Sequence, residues 1–180
     1  MATTELEGVI LGIVSSRQPC SAYVIRQRFE QSPTWGWSSS KGAIYPAVRR
    51  LVDAGFLKST EVRLGRKTSS TLTLTRKGAT ELRRWIVDLA PEMGGAPIDP
   101  VRTRVNYIAN LAPEERRAFL SRALDGARAA LAKARDSFAD PSADDQWALE
   151  LSRAGVIAQL HAKIRWLEEA FATLGESEGP

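Results

Sequence analysis

Residues 38–57 read SSSKGAIYPAVRRLVDAGFL. Ile44, Val48 and Leu51 recur there at helical spacing. Ahead of them stand three serine hydroxyls suited to capping a helix N-terminus, and Gly55 supplies the residue that commonly closes one. The spacing predicts a helix from about Lys41 to Ala54. Tyr45 and Arg49, one turn apart, fall towards the side away from the apolar stripe. Pro46 has no N–H to donate inside such a helix, and Gly42, four residues earlier, is best able to absorb the distortion.

Immediately downstream the period changes from helical to alternating. Phe56–Val62 and Ser69–Leu74 are short, and the second alternates between Thr and Leu, as a half-buried strand does. Between them Arg63-Leu64-Gly65-Arg66-Lys67-Thr68 forms a glycine-containing basic tip, so the pair reads as a β-hairpin. Thr75-Arg76-Lys77-Gly78 then leads into a helix expected to carry Leu82, Ile86 and Leu89. Upstream, Leu6, Val9, Ile10, Ile13 and Val14 mark a helix capped by Thr3 or Thr4 and broken before Pro19. A second helix runs from about Ser21 to Gln31 and buries Ala22, Ile25 and Phe29. Ser32–Trp37 reads as a loop whose two tryptophans pack over the helical core. Three helices, a hairpin and a further helix make a winged helix-turn-helix.

The composition fits a protein that binds rather than one that reacts. The chain has 180 residues, a formal charge of +4, one cysteine and one histidine. Cys20 alone closes no internal disulfide, and Cys20 with His161 is too few for a zinc-finger site. There is no nucleophile–base pair, and Gly65-Arg66-Lys67-Thr68 lacks the spacing of a phosphate-binding loop, so an enzyme is not expected. No cofactor or metal is expected. No signal peptide and no membrane-length apolar run is recognisable, so a cytoplasmic protein without membrane contact is expected. The charge is unevenly placed. Residues 1–90 hold 14 Lys and Arg against 7 Asp and Glu, a net +7, while residues 91–180 hold 11 against 14, a net −3. Such asymmetry suggests a nucleic-acid-binding half joined to something else.

Residues 91–100, with three prolines and a Gly-Gly pair, read as a linker. Beyond them the chain is helical: a short helix over about Val101–Asn110, then two long ones. Leu120, Leu124, Ala127, Leu131, Ala134 and Phe138 step by threes and fours, as do Ile157, Leu160, Ile164, Leu167, Phe171 and Leu174. One antiparallel hairpin leaves apolar surface that a second copy would cover. The expected fold is mainly α with a small β-hairpin wing: a winged helix-turn-helix DNA-binding domain over 1–90, a linker over 91–100 and a helical dimerisation domain over 101–176. Leu124, Leu131, Phe138, Leu160, Ile164, Leu167 and Phe171 are the candidate dimer contacts.

For DNA the candidates cluster on one motif. Ser38, Ser39 and Ser40 with the helix N-terminus suit phosphate. Lys41 and Arg49 add charge-assisted contacts, Tyr45 offers a hydroxyl, and Arg66 and Lys67 at the hairpin tip would enter or skirt the minor groove. A winged-helix module meeting an acidic protein partner, without DNA sequence preference, is the rival reading.

The chain resembles the PadR-like transcriptional regulators. The resemblance rests on Leu11-Gly12-Ile13-Val14, on Pro19-Cys20-Ser21-Ala22-Tyr23-Val24-Ile25, and above all on Ser40-Lys41-Gly42-Ala43-Ile44-Tyr45-Pro46-Ala47-Val48-Arg49-Arg50-Leu51 with Gly55-Phe56-Leu57 after it. Leu74-Thr75-Arg76-Lys77-Gly78 and Ile164-Arg165-Trp166-Leu167-Glu168-Glu169 match its wing exit and its C-terminal ending. Ala43 replaces a common threonine, and Ser21-Ala22 a histidine-glycine pair. The resemblance accounts for Pro46 and adds Tyr23 and Gly42 to the DNA-contacting candidates. It implies a homodimer that binds a palindromic operator on double-stranded DNA and represses a gene. For some members it implies release by a small aromatic ligand near the dimer interface, for which Trp85, Tyr107, Trp147, His161 and Trp166 are the candidates here.

Overall fold

The computed structural model describes residues 3–32, 41–64, 67–136 and 146–177 of the chain. The segment Pro33–Ser40, with its two tryptophans and the three serines offered as caps, lies outside the described residues, as do Arg66 and Phe138. Two units are distinguished, Met1–Gly94 and Gly95–Pro180.

In the first unit, α1 (Glu5–Arg17) begins with a capping box: Thr4 accepts from the Glu7 N–H while the Glu7 carboxylate accepts from the Thr4 N–H. It is buried on more than one side, through Glu7, Gly8, Ile10, Leu11 and Val14, because α2, α3, α4 and β2 all touch it. Next come α2 (Ala22–Gln31), capped by Ser21, and α3 (Lys41–Asp53). Ile25, Phe29, Ile44, Ala47 and Leu51 from these two helices complete the core against Ile10, Leu11 and Val14.

Strands β1 (Leu57–Leu64) and β2 (Lys67–Leu74) pair antiparallel from Leu57↔Leu74 to Leu64↔Lys67, a longer ladder than the alternation alone marked. A third short element joins them. Cys20 exchanges both backbone bonds with Leu72, N–H to O at 3.2 and 2.7 Å, and Gln18 Oε1 accepts from the Leu74 N–H at 2.8 Å. The segment before α2 thereby becomes a bridge beside the hairpin.

The junction between α3, β1 and α4 (Arg76–Val87) explains the Leu74–Gly78 run residue by residue. Gly55 takes φ +73°, the left-handed turn that ends α3. Thr75 caps α4 by accepting from the Gly78 N–H at 3.0 Å, and its hydroxyl donates to Gly55 O at 2.8 Å. Lys77 Nζ donates to Ala54 O, 2.8 Å away, at the carbonyl end of α3. A side chain at Gly78 would collide with Phe56 O, so glycine is what lets α4 start this close to β1.

Helix α4 departs from expectation. It ends at Val87, before Leu89, and both Ile86 and Leu89 are exposed. Its inward stripe is Gly78, Leu82 and Trp85 instead, because α4 faces α1 along that side.

In the second unit, α5 (Pro100–Val105) is shorter than expected and is followed by a single 3-10 turn, Ile108–Asn110. Asp99 caps α5 and pairs with Lys163 at 2.7 Å. Burial alone would raise the Asp99 carboxyl, but Lys163 and the two capping N–H bonds outweigh it and hold it below the usual range. Two long helices, α6 (Pro113–Asp136) and α7 (Gln146–Ser177), pack on each other around Leu120, Ala127 and Leu167.

Candidate nucleic-acid interface

Helix α3 buries Ile44, Ala47, Val48 and Leu51 and turns Gly42, Ala43, Tyr45, Pro46, Arg49 and Arg50 to solvent. This division follows from the 3.6-residue period, with four apolar positions on one side and the motif residues on the other. Tyr45 is 54 % exposed although most of its surface is aromatic. Gly42 is exposed as well, and a Cβ there would meet nothing within 4 Å. Internal packing therefore does not require glycine at 42, in contrast to Gly8 and Gly78. Lys41 opens α3, and Lys67 opens β2 opposite Leu64.

On α2, Tyr23 is 52 % exposed, accepts from Gln27 Nε2 at 3.3 Å and lies 5.1 Å from the Arg26 guanidinium carbon. Tyr23, Tyr45, Arg49 and Gly42 are thus all solvent-facing on the two helices of the helix-turn-helix. Ser38, Ser39, Ser40 and Arg66 are among the candidates outside the described residues.

The sequence reading overlooked Glu7 and Arg50. Glu7 Oε1 accepts from Arg50 Nε at 2.8 Å, and Oε2 accepts from the Thr4 hydroxyl at 3.0 Å and the Thr4 N–H at 3.1 Å. Burial pushes this carboxyl up, but the bonds from Thr4 and Arg50 together hold it below the usual range. The signal was available in part: an acid three residues after a threonine marks the capping box, but not the arginine 43 positions away.

The aromatic candidates divide between the two units. Trp85, in the first unit, sits against Gly8 and donates its indole N–H to Glu5 at 3.2 Å. In the second unit, Tyr107 and Trp147 are exposed, and Trp166 is half-buried against the Leu120–Leu167 cluster. His161 Nε2 lies 3.3 Å from Arg135 Nη2, across the α6–α7 pair. Of the dimer candidates, Leu131 and Leu167 are buried within this one chain, and Leu124 and Ile164 are half-buried on the same cluster. Leu160 is half-buried and Phe171 is exposed. The exposed side of α7 carries Trp147, Leu151, Ala154, Ala158 and Ala162.

Among the described residues no cluster of His, Cys, Asp and Glu could hold a metal ion, and no helix is long and apolar enough to cross a membrane.

Known proteins resemble this architecture throughout. Residues 10–84 match the model of the transcriptional regulator PadR-like family. A Mycobacterium tuberculosis protein named "Probable transcriptional regulator Rv1176c" is 29% identical over 175 residues, 88% of this chain and 92% of that one. The Bacillus subtilis "Negative transcriptional regulator PadR" is 31% identical over 87 residues, 48% of this chain and 47% of that one. Bacillus subtilis PadR crystallised with operator DNA superposes with a TM-score of 0.76 at 25% identity, covering 95% of this chain and 99% of that one. Its complex with p-coumaric acid gives 0.71 at 24%, covering 94% and 98%. The matched stretch runs from α1 through α4, the winged helix-turn-helix itself, and the superposition extends over both units. Over residues 10–84 the chain thus matches the PadR-like family of transcriptional regulators, and its likeness to Bacillus subtilis PadR extends over 95% of its length.

Proposed function

We propose that the chain is a homodimeric repressor that binds a palindromic operator through α2, α3 and the wing. The observation that carries this reading is the outward face of α3, where Gly42, Tyr45 and Arg49 stand free of the core on a basic first unit. Tyr45 and Arg49 would reach base edges or phosphates in the major groove, Tyr23, Ser38, Ser39, Ser40 and Lys41 would contact the backbone, and Arg66 and Lys67 would extend along the minor groove. The operator complex of Bacillus subtilis PadR and that protein's name as a negative regulator support both the DNA and the direction of control.

A second copy would cover the exposed side of α7, where Trp147 and Leu151 precede a run of alanines that lets another helix approach closely. Two-fold symmetry would then set the spacing of the operator half-sites. The p-coumaric acid complex supports a small aromatic carboxylate as effector, with Tyr107, Trp147, His161 and Trp166 as the residues of the second unit able to meet it. The reading places the protein in the cytoplasm, with the DNA it controls.

The test is a mobility-shift titration on the duplex immediately upstream of the chain's own gene. Salt-sensitive binding that requires an inverted repeat, and that weakens in Tyr45→Ala and Arg49→Ala, is expected. Equal binding to every duplex would reject operator recognition.

A further inference from the structure

We propose that Arg50 is a DNA-phosphate contact and that Glu7 is its positioning residue. The proposal rests on α3 being the DNA-facing helix. Successive residues step by 100° around that helix, so Gly42, Pro46 and Arg49 form the pole opposite the core, with Tyr45 on one flank and Arg50 on the other. A helix lying in the major groove meets bases at its pole and the bordering phosphates along its flanks.

The bond to Glu7 leaves Arg50 suited to that position. Glu7 accepts a hydrogen bond from Nε alone, at 2.8 Å, and no hydrogen bond from either terminal nitrogen of Arg50 is present among the described residues. Glu7's side chain is 11 % exposed and is fixed from its other oxygen by Thr4, while Arg50's remains 55 % exposed. The Glu7 carboxylate is therefore fixed from both oxygens, while more than half of the Arg50 side chain stays in water. Planar donors of this kind pair with phosphate oxygens two at a time. Arg50 has already given up much of its rotamer freedom in the free protein, so the contact requires less ordering on binding. Arg49, its neighbour, has no ion-pair partner among the described residues.

The test measures affinity against salt for the full chain on a fluorescent duplex taken from directly upstream of its gene, with melting temperature recorded for each variant. Arg50→Ala is expected to weaken binding several-fold and to reduce the slope of log affinity on log salt by about 0.9, the value for one lost phosphate contact. Glu7→Ala is expected to weaken binding although it removes a negative charge, and to add no further loss in the Arg50→Ala background. Glu7→Gln, which keeps an oxygen for Nε, is expected to restore most of the affinity. Should Arg50→Ala fail to fold, Arg50→Gln reads the same slope. Wild-type affinity and slope in a folded Arg50 variant, or tighter binding by Glu7→Ala in both backgrounds, overturns the proposal. Loss of binding in Arg49→Ala but not in Arg50→Ala overturns it while leaving the DNA-facing reading of α3 intact. Absence of any binding by the wild-type chain at low salt overturns both.

Discussion

The indole of Trp85 occupies the space over Gly8 that any other residue in α1 would fill with its own Cβ. The indole N–H reaches Glu5 one turn earlier, so α4 is held against α1 by shape and by one polar bond. Gly8→Ala is expected to lower stability by about 1–3 kcal/mol, the usual cost of forcing extra volume into a packed contact. Gly12→Ala, on the same helix but with open space at its Cβ, is the control and should be neutral or stabilising by up to about 1 kcal/mol. Urea denaturation of both variants checks the contrast.

Glu81 predicts an acid limit to the same junction. Its carboxylate accepts two bonds from Arg84, at 2.5 and 2.9 Å, and one from Thr3. Arg84 first, and then Thr3, hold it down to about 2 from an ordinary 4.5. A carboxyl lowered on folding stabilises the fold fully above its unfolded value and loses that contribution as pH falls through the folded one. The melting difference between wild type and Glu81→Gln should therefore be constant above about pH 5, shrink below pH 4.5 and vanish near pH 2. A difference independent of pH would show that the pair contributes through shape alone.

Gly42 separates folding from binding. Alanine there has open space and a better helical propensity, by up to about 1 kcal/mol, so Gly42→Ala should melt no lower than wild type. The same methyl would stand on the side of α3 that we propose faces DNA, where a phosphate or base edge would approach the backbone closely. Affinity for the upstream duplex should fall several-fold. Unchanged affinity would mean that the DNA passes Gly42 at a distance.

Two substitutions in the second unit should diverge. Leu167 is fully buried within one chain, so Leu167→Ala should cost about 2–5 kcal/mol of stability in the unit itself. Ala158 is exposed on α7, and Ala158→Glu should leave melting of the isolated chain unchanged while lowering the solution mass towards that of one copy. Light scattering on the two variants distinguishes an intrachain seam from a shared one.

Burial pushes the Cys20 thiol up, so it should react slowly with a thiol reagent at pH 8 in the folded protein and rapidly in urea. Fast labelling of the native chain would mean that this part of the wing base opens readily.

The order of elements was legible because each change of period in the sequence marks a change of element. Ile44, Val48 and Leu51 point one way round α3, Leu72 and Leu74 alternate along β2, and Thr4, Thr75 and Gly55 stand at ends the chemistry of caps requires. The same periodicity correctly turned Tyr45 and Arg49 outward. What escaped were pairings between residues far apart in the chain. Glu7 and Arg50, and Trp85 and Gly8, each look ordinary within their own helix and acquire meaning only when two helices meet. Cys20 and Leu72 pair through main-chain atoms, which leave no trace in side-chain identity. Ile86 and Leu89 misled because the apolar spacing continued past Val87, where the helix stops.

That main-chain pairing also bears on how such a wing could diversify. Its base is fixed by Cys20 and Gln18, neither of which touches the far end of the ladder at Leu64↔Lys67. Residues could be gained or lost at the tip in pairs, preserving the alternation of faces, without altering the register at Leu72. The fold thus assigns heritable variation and structural constancy to opposite ends of one hairpin, so a regulator could acquire a new reach along DNA while its scaffold stays the same.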